Sequence, residues 1–433
     1  MPVKPPSLAP GVKRREVWSW AMYDFANSGY TTVVITAVFS AYFVAEVAGK
    51  APWATFAWTA ALSVSYALIM IAGPLIGAYA DAHAAKKRLL LVTTVGCVVF
   101  TGALALVGRG DVGLAIAFIV LSNFFFGSGE NLIAAFLPEL AREDAIGKVS
   151  GWGWSLGYVG GLVSLGASLG YVMHAQARGE SAAGFVPVTM LITAGIFALA
   201  SLPTFLFLRE RAVPVPRARE STAGALARLK ETLAHARQYK DLERFLLCVV
   251  FYQAGIQAVV ALAAIYAEQA MGFSTHETIV LILVVNVTAA IGAYLFGEVQ
   301  DRLGHVRTIV VTLIGWLVVV VLAWASKGPT LFWITANLVG VCLGSSQSAG
   351  RAMVGYLSPP ARAGEFFGLW GLAVKLSSIL GPITYGLVTW ISGGDHRLAI
   401  LITGVYFVIG LAIVSTLDIA RGRRAALAAA QLA

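Results

Sequence analysis

Twelve apolar runs, each long enough to cross a lipid bilayer, follow one another along this chain, joined mostly by short polar turns. They begin near Trp18, Trp53, Leu89, Gly113, Val149, Val186, Phe245, Ile279, Ile309, Leu331, Phe366 and Ile400. A helix needs about 20 apolar residues to span hydrocarbon. Only 12% of the 433 residues are charged, against 58% hydrophobic, whereas a soluble domain carries about 25% charged residues. No single buried core absorbs that apolar fraction at this length. The chain therefore reads as an all-α integral membrane protein with twelve transmembrane helices.

Lys and Arg residues set the orientation. Lys4, Lys13, Arg14 and Arg15 precede the first span, and Lys86, Lys87, Arg88, Arg142, Lys148, Arg302, Arg307 and Arg362 occupy the even-numbered loops. The stretch 209–244 adds nine more basic residues to that side, and Arg421, Arg423 and Arg424 follow the last span. The opposite loops hold only Lys50, Arg109, Arg178, Lys327 and Arg397. Basic residues accumulate on the cytosolic side, so both termini are expected in the cytosol of a multi-pass cell (inner) membrane protein. The formal charge of +9 is topological on this reading, and nucleic acid is not an expected partner. The first seventeen residues lack a short apolar stretch with a cleavage site, so no cleavable signal peptide is expected.

The chain divides into an N-terminal tail (1–17), a six-helix half (18–208), a cytosolic linker (209–244), a second six-helix half (245–419) and a C-terminal tail (420–433). The halves repeat. Gly77–Asp81 at the end of span two recurs as Gly297–Asp301 at the end of span eight, and Lys148–Gly151 is echoed by Glu365–Gly368. Duplicated halves around a central linker are the architecture of rocker-type transporters, with the substrate near the midplane between them. Within the linker, Ala223 to Arg237 has the pattern of an amphipathic helix lying on the inner surface.

The G-x-x-x-D element with following basic residues resembles the cytosolic loop motif of the major facilitator superfamily. Its second copy, Gly297, Asp301, Arg302, Gly304 and Arg307, is nearly complete. The first departs: Ala82, Ala84 and Ala85 stand where the superfamily usually has Arg, Gly and Arg, and Lys86, Lys87 and Arg88 keep the charge. An Asp at a helix end beside basic residues makes a polar latch between halves, so Asp81, Asp301, Arg302 and Arg307 are candidate gating residues. Three runs are similar to the vacuole-effluxer (UMF) family: Trp20 to Ser28, Leu137 to Tyr158, and Glu365 to Pro382. That resemblance implies a two-halved major facilitator fold and, from its fungal members, amino-acid export. The family usually has an acid before the glycine of span seven, where this chain has Ala254 and then Gly255.

An ionisable side chain inside the bilayer costs about 2.5–3.5 kcal/mol on insertion scales, so each one needs a reason. Four stand out. Asp24 lies about two turns into span one, one turn before Asn27. Glu130 and Arg351 lie toward the cytosolic ends of spans four and ten, and Lys375 lies near the middle of span eleven. The superfamily resemblance places these spans along or beside the central path. Asp24 is then the candidate proton carrier, its alternative being a permanent ion pair that locks span one to a neighbour. Lys375 is the candidate for an anionic substrate group, its alternative being the counter-ion of Asp24 or Glu130. Similar depth in symmetry-related spans makes Glu130 and Arg351 an expected intracellular gate pair. Tyr252, Gln253 and Gln257 of span seven, with Asn27, are candidate substrate contacts; the alternative for the span-seven trio is helix-packing polar glue.

The Gly-rich run Gly151, Gly153, Gly157, Gly160 and Gly161 predicts close helix approach. Trp53, Trp324, Trp333 and Trp390 read as interfacial anchors. Cys97, Cys248 and Cys342 sit in apolar runs and read as packing residues. There is no G-x-x-x-x-G-K-[ST] loop for ATP, no H-E-x-x-H and no nucleophile elbow. The expectation is a monomeric secondary transporter of a small polar solute, amino acids first, driven by protons or another coupling ion and needing no cofactor or metal. The competing reading on the same fold is a multidrug-type exporter, which predicts a cavity of aromatics and Met rather than mixed charge.

Overall fold

The computed structural model describes residues 7–213, 234, 237, 239–267, 271–273 and 275–431. The region 223–237, read above as an amphipathic helix, falls almost wholly outside them. Twelve helices are long and apolar enough to cross a membrane, and no strand occurs among the described residues. In the first half these are α1 (Arg14–Val47), α2 (Ala54–His83), α3 (Lys86–Ala103), α4 (Val112–Ala134), α5 (Ile146–Ala177) and α6 (Ala182–Phe207). The second half holds α7 (Lys240–Ile265), α8 (Thr275–Leu303), α9 (His305–Ala325), α10 (Pro329–Leu357), α11 (Ala363–Ile391) and α12 (His396–Val414). A further helix outside the spans, α13 (Ile419–Gln431), follows. α7 starts at Lys240, before the apolar run at Phe245, because Lys240–Arg244 forms a charged first turn.

The duplication seen in the sequence is a duplication of packing. α1 packs on α5 and α6, α2 on α4, and α3 on α4 and α6; α7 packs on α11 and α12, α8 on α10, and α9 on α10 and α12. Each half has its own apolar core, one centred on Trp20, Tyr30 and Phe136, the other on Phe245, Trp316 and Phe407. The outward faces are apolar too. Val311, Ile314, Val318 and Val321 of α9 are all exposed, and their spacing puts them on one stripe of the helix. That stripe is the surface lipid tails cover in a bilayer. Trp53, Trp324 and Trp390 are exposed near span ends as expected of anchors. Trp333 instead packs against Phe273 at 5.7 Å.

The halves meet mainly along α2–α11 and α5–α8, and the closest approaches lie at the face that carries both termini. There, added side-chain carbon at Gly77 would run into the backbone of Gly364, and at Gly151 into the backbone of Ala293. Only glycine lets these backbones touch. Within the first half, Gly160 does the same against Phe25 of α1. The start of the linker is stitched to this face as well. Glu210 accepts the backbone N–H groups of Lys86 (2.7 Å) and Lys87 (3.1 Å), capping α3 where its first-turn donors lack helical partners.

Candidate functional site

The two Asp residues of the repeated motif make the same contact in the two halves. Asp81, at the end of α2, accepts the N–H groups of Gly364 (3.0 Å) and Glu365 (2.8 Å) at the start of α11. Asp301, at the end of α8, accepts those of Gly147 and Lys148, both at 2.9 Å, at the start of α5. Each carboxylate thus caps a helix of the opposite half, satisfying orphan donors and meeting the positive end of the helix dipole. The echo between Lys148–Gly151 and Glu365–Gly368 is the other side of this contact. The basic residues do less than the motif predicts. Arg302 stays on its own helix, 3.4 Å from Glu298, and Arg307 is exposed. Lys86 of the first copy is fully buried, 2.8 Å from Glu139 and 3.6 Å from Asp81.

Deeper in the membrane, the four intramembrane charges form two ion pairs, each bridging the halves. Arg351 of α10 bonds Asp24 of α1 at 2.6 Å, and Lys375 of α11 lies 3.3 Å from Glu130 of α4. Both carboxylates belong to the first half and both cations to the second. The expected Glu130–Arg351 pair is therefore not formed. Similar depth placed those two together, but rotation about each helix axis turns Arg351 to α1 and α5 instead.

The guanidinium of Arg351 is held almost entirely by the opposite half. Its Nη2 donates to the backbone carbonyl of Ser150 at 2.8 Å, its Nε to Ser150 Oγ at 3.2 Å, and Ser150 Oγ donates to the carbonyl of Ser348. The rings of Trp20 and Trp154 lie 4.7 and 5.3 Å from it on centroid distance, within cation–π range. Trp20 is fixed by its own Nε1 bond to the carbonyl of Ile133, 2.8 Å. A Cβ at Gly153 would meet Asp24, Arg351 and Trp20 together, so the glycine run also makes room for this pair. A guanidinium with five fixed donors suits such a buried, multiply bonded position.

The Lys375–Glu130 pair is looser and more open, Glu130 keeping 28% of its side-chain exposure. Tyr66 and Phe126 present ring faces to the ammonium at 5.5 and 5.8 Å. Asn27 is buried one turn from Asp24, its Oδ1 without a hydrogen-bond partner among the described residues, as is Asn131 Nδ2 beside Glu130. Gln253 of α7 and Gln347 of α10 exchange hydrogen bonds at 2.7 and 3.4 Å, an arrangement that packs the two helices together. The buried hydroxyl of Tyr252 faces Gly350, next to Arg351, without a hydrogen-bond partner among the described residues, and Gln257 is half-buried a turn further on. Ala254 is fully buried, and its carbonyl lies against Gly381 of α11.

Sequence reasoning missed Ser150, Trp154, Tyr66 and Phe126. Ser150 and Trp154 lie inside runs noted for their resemblance. Tyr66 and Phe126 carry no signal beyond being aromatic in mid-span. No group of His, Cys, Asp or Glu with metal-binding geometry occurs among the described residues.

Residues 54–427 match the family described as vacuole effluxer Atg22 like. The chain is 27% identical over 402 residues to the uncharacterized MFS-type transporter YxiO of Bacillus subtilis (strain 168), covering 92% of this chain and 93% of that one. Autophagy-related protein 22 of Eremothecium gossypii is 23% identical over 348 residues, 73% of this chain and 68% of that protein. In fold it matches the human organic anion transporter MFSD10 (TETRAN) with a TM-score of 0.74 at 16% identity, over 93% of this chain and 99% of the other. The proton:xylose symporter XylE matches with a TM-score of 0.70 at 14% identity, over 92% and 94%. A repeated six-helix half, mirrored Asp caps and a match over most of the chain place this protein in the vacuole effluxer Atg22-like family of major facilitator transporters.

Proposed function

We propose that this transporter moves a small polar solute, amino acids being the first class to test, by alternating access coupled to protons at Asp24. The observation that carries this reading is the pair of ion bridges across the halves. An interface with two carboxylates on one side and two cations on the other suits a cargo that itself carries charge. It suits a purely lipophilic cargo badly, because desolvating paired charges against apolar surface is costly.

Among the described residues, Asp24 is the only carboxylate bonded to Arg351. A proton on it would remove the charge that holds α10 to α1 and free the halves to part on the terminus-bearing face. Lys375 is the anchor for an anionic group, with Asn27, Tyr252 and Gln257 as further contacts; Gln253 reaches the path only by giving up Gln347. Asp81 and Asp301 act as gates by releasing the helix N-termini that they cap. Glu130 and Arg351 gate through their separate partners. On this reading the protein is a monomer in the cell membrane, both termini are cytosolic, and the structure is closed to the cytosol.

The test is a thermal-shift screen of the purified protein against amino acids, short peptides, sugars and lipophilic cations, at about pH 5.5 and about pH 7.5. A ligand that binds only the folded state raises apparent stability by mass action. Stabilisation by an amino acid, with a pH dependence lost in Asp24→Asn, supports the reading. Stabilisation by lipophilic cations alone overturns it in favour of a multidrug-type exporter.

A further inference from the structure

The helix after the last span, α13, belongs by its packing to the second half. It contacts α7, α10 and the turn Pro360–Arg362 that leads into α11. Arg421 grips Asp241 at the start of α7 with two bonds, 2.8 and 2.7 Å, and Asp241 also accepts the N–H of Asp418 at 3.0 Å. Gly422 sits where a side chain would meet Leu357 and Asp241, and Ala426 is fully buried. The helix is therefore a rigid appendage of the second half.

One residue of that appendage leaves its own half. Arg423 reaches Glu143, in the turn between α4 and α5 of the first half, through Nε at 3.0 Å and Nη2 at 3.2 Å. Its Nη1 donates to the carbonyl of Tyr356 at 2.8 Å, and its guanidinium lies 5.0 Å from the centre of the Tyr356 ring. Only 15% of the Arg423 side chain is exposed. The guanidinium is thus aimed at Glu143 by fixed contacts within its own half, so little rotamer freedom is lost when the fork closes on the carboxylate. Parting of the halves on this face carries α13 away with α10 and moves Glu143 with α5. The Arg423–Glu143 contact cannot survive that motion.

We infer that α13 is a strap that favours the state closed on the terminus-bearing face, with Arg423 as its clasp and Glu143 as the catch. This goes beyond the transport reading and needs no substrate: the strap sets how often the face opens in the resting protein. It acts outside the membrane path, at a place where modification of the C-terminal segment or a partner bound to it would tune the equilibrium without touching the cargo site.

The test reads opening directly. Ser348 of α10 is fully buried beneath this face. It is replaced by cysteine in a full-length chain whose three buried native cysteines are replaced by alanine, and maleimide labelling is followed in nanodiscs. Glu143→Gln and Arg423→Gln should each raise the labelling rate about threefold, the scale of a part-exposed bidentate pair. The double variant should do no more than either single one, because both remove one contact. Glu143 is about half exposed on a turn, so its variant tests the idea even if Arg423→Gln folds poorly. Unchanged labelling in Glu143→Gln, or single effects that multiply in the double variant, overturns the inference. Because no cargo is added, either result leaves the transport reading standing.

Discussion

Arg351 crosses the interface between the two halves to bond Asp24 at 2.6 Å, and its other side-chain contacts, Ser150, Trp20 and Trp154, also belong to the far half. It is a key from α10 seated in a lock built by α1 and α5. Removing one member of a buried pair leaves the other charge uncompensated, which typically costs about 3–5 kcal/mol. Asp24→Asn should therefore lower thermal stability strongly, and the Asp24→Asn/Arg351→Gln double variant should recover much of the loss. Gradient-driven transport should be absent from both. Melting curves and proteoliposome uptake decide the matter, and equal melting of single and double variants would show that the guanidinium left behind by Asp24→Asn carries no penalty of its own.

The legible part of this protein is what the bilayer makes expensive. Twelve spans, the halves and all four intramembrane charges stand out because apolar length and buried charge leave so little choice in lipid. Pairing is legible only in part: the counter-ion reading of Lys375 leaves Asp24 and Glu130 both open, and Arg351 is set against Glu130. Depth along a helix follows from residue count, but the face a side chain presents depends on a rotation fixed only by neighbouring helices. Depth puts Glu130 with Arg351; rotation gives Glu130 to Lys375 and Arg351 to Asp24. The motif copies show the same division. The sequence marks Asp81 and Asp301 as a related pair, but their partners are backbone N–H groups of the opposite half, which carry no residue signature.

Those caps make a symmetric prediction. Asp81→Asn and Asp301→Asn each remove the carboxylate charge at a helix N-terminus, and losses of this kind run at about 1 kcal/mol. The two sites lie on different seams, α2–α11 and α5–α8, so their effects should add. Spin-label distances across the terminus-bearing face should widen in each variant and most in the double one. An effect from only one of the two would break the functional symmetry of the repeat.

The turn between α2 and α3 holds Ala84 at φ +46, where its counterpart between α8 and α9 is Gly304 at φ +91. A Cβ in the left-handed region costs about 1–2 kcal/mol, so the first copy of the motif carries a strain that the second avoids. Ala84→Gly should raise the melting temperature, offset in part by the greater freedom of glycine in the unfolded chain. Gly304→Ala should lower it. Transport by Ala84→Gly should be retained, since Ala84 makes no contact with either ion pair. A lower melting temperature for Ala84→Gly would mean that the turn relaxes in the membrane.

Gly77 and Gly364 bring α2 and α11 into backbone contact, so bulk at either position acts on the closed face alone. A Cβ at Gly77 overlaps the carbonyl of Gly364, backbone that cannot swing aside as a flexible side chain would. Overpacking of this kind costs typically about 1–3 kcal/mol, and here the cost falls only on the state in which the halves touch. Gly77→Val should therefore raise the population open on the terminus-bearing face by roughly fivefold or more, using about 1.4 kcal/mol per tenfold. Labelling of a cysteine at Ser348 should speed up accordingly. Gly166→Val is the control, since a Cβ there has no atom within 4 Å outside its own stretch of helix among the described residues, and it should leave labelling unchanged. Equal labelling in the two variants would mean that the Gly77–Gly364 contact does not distinguish the closed state from the open one.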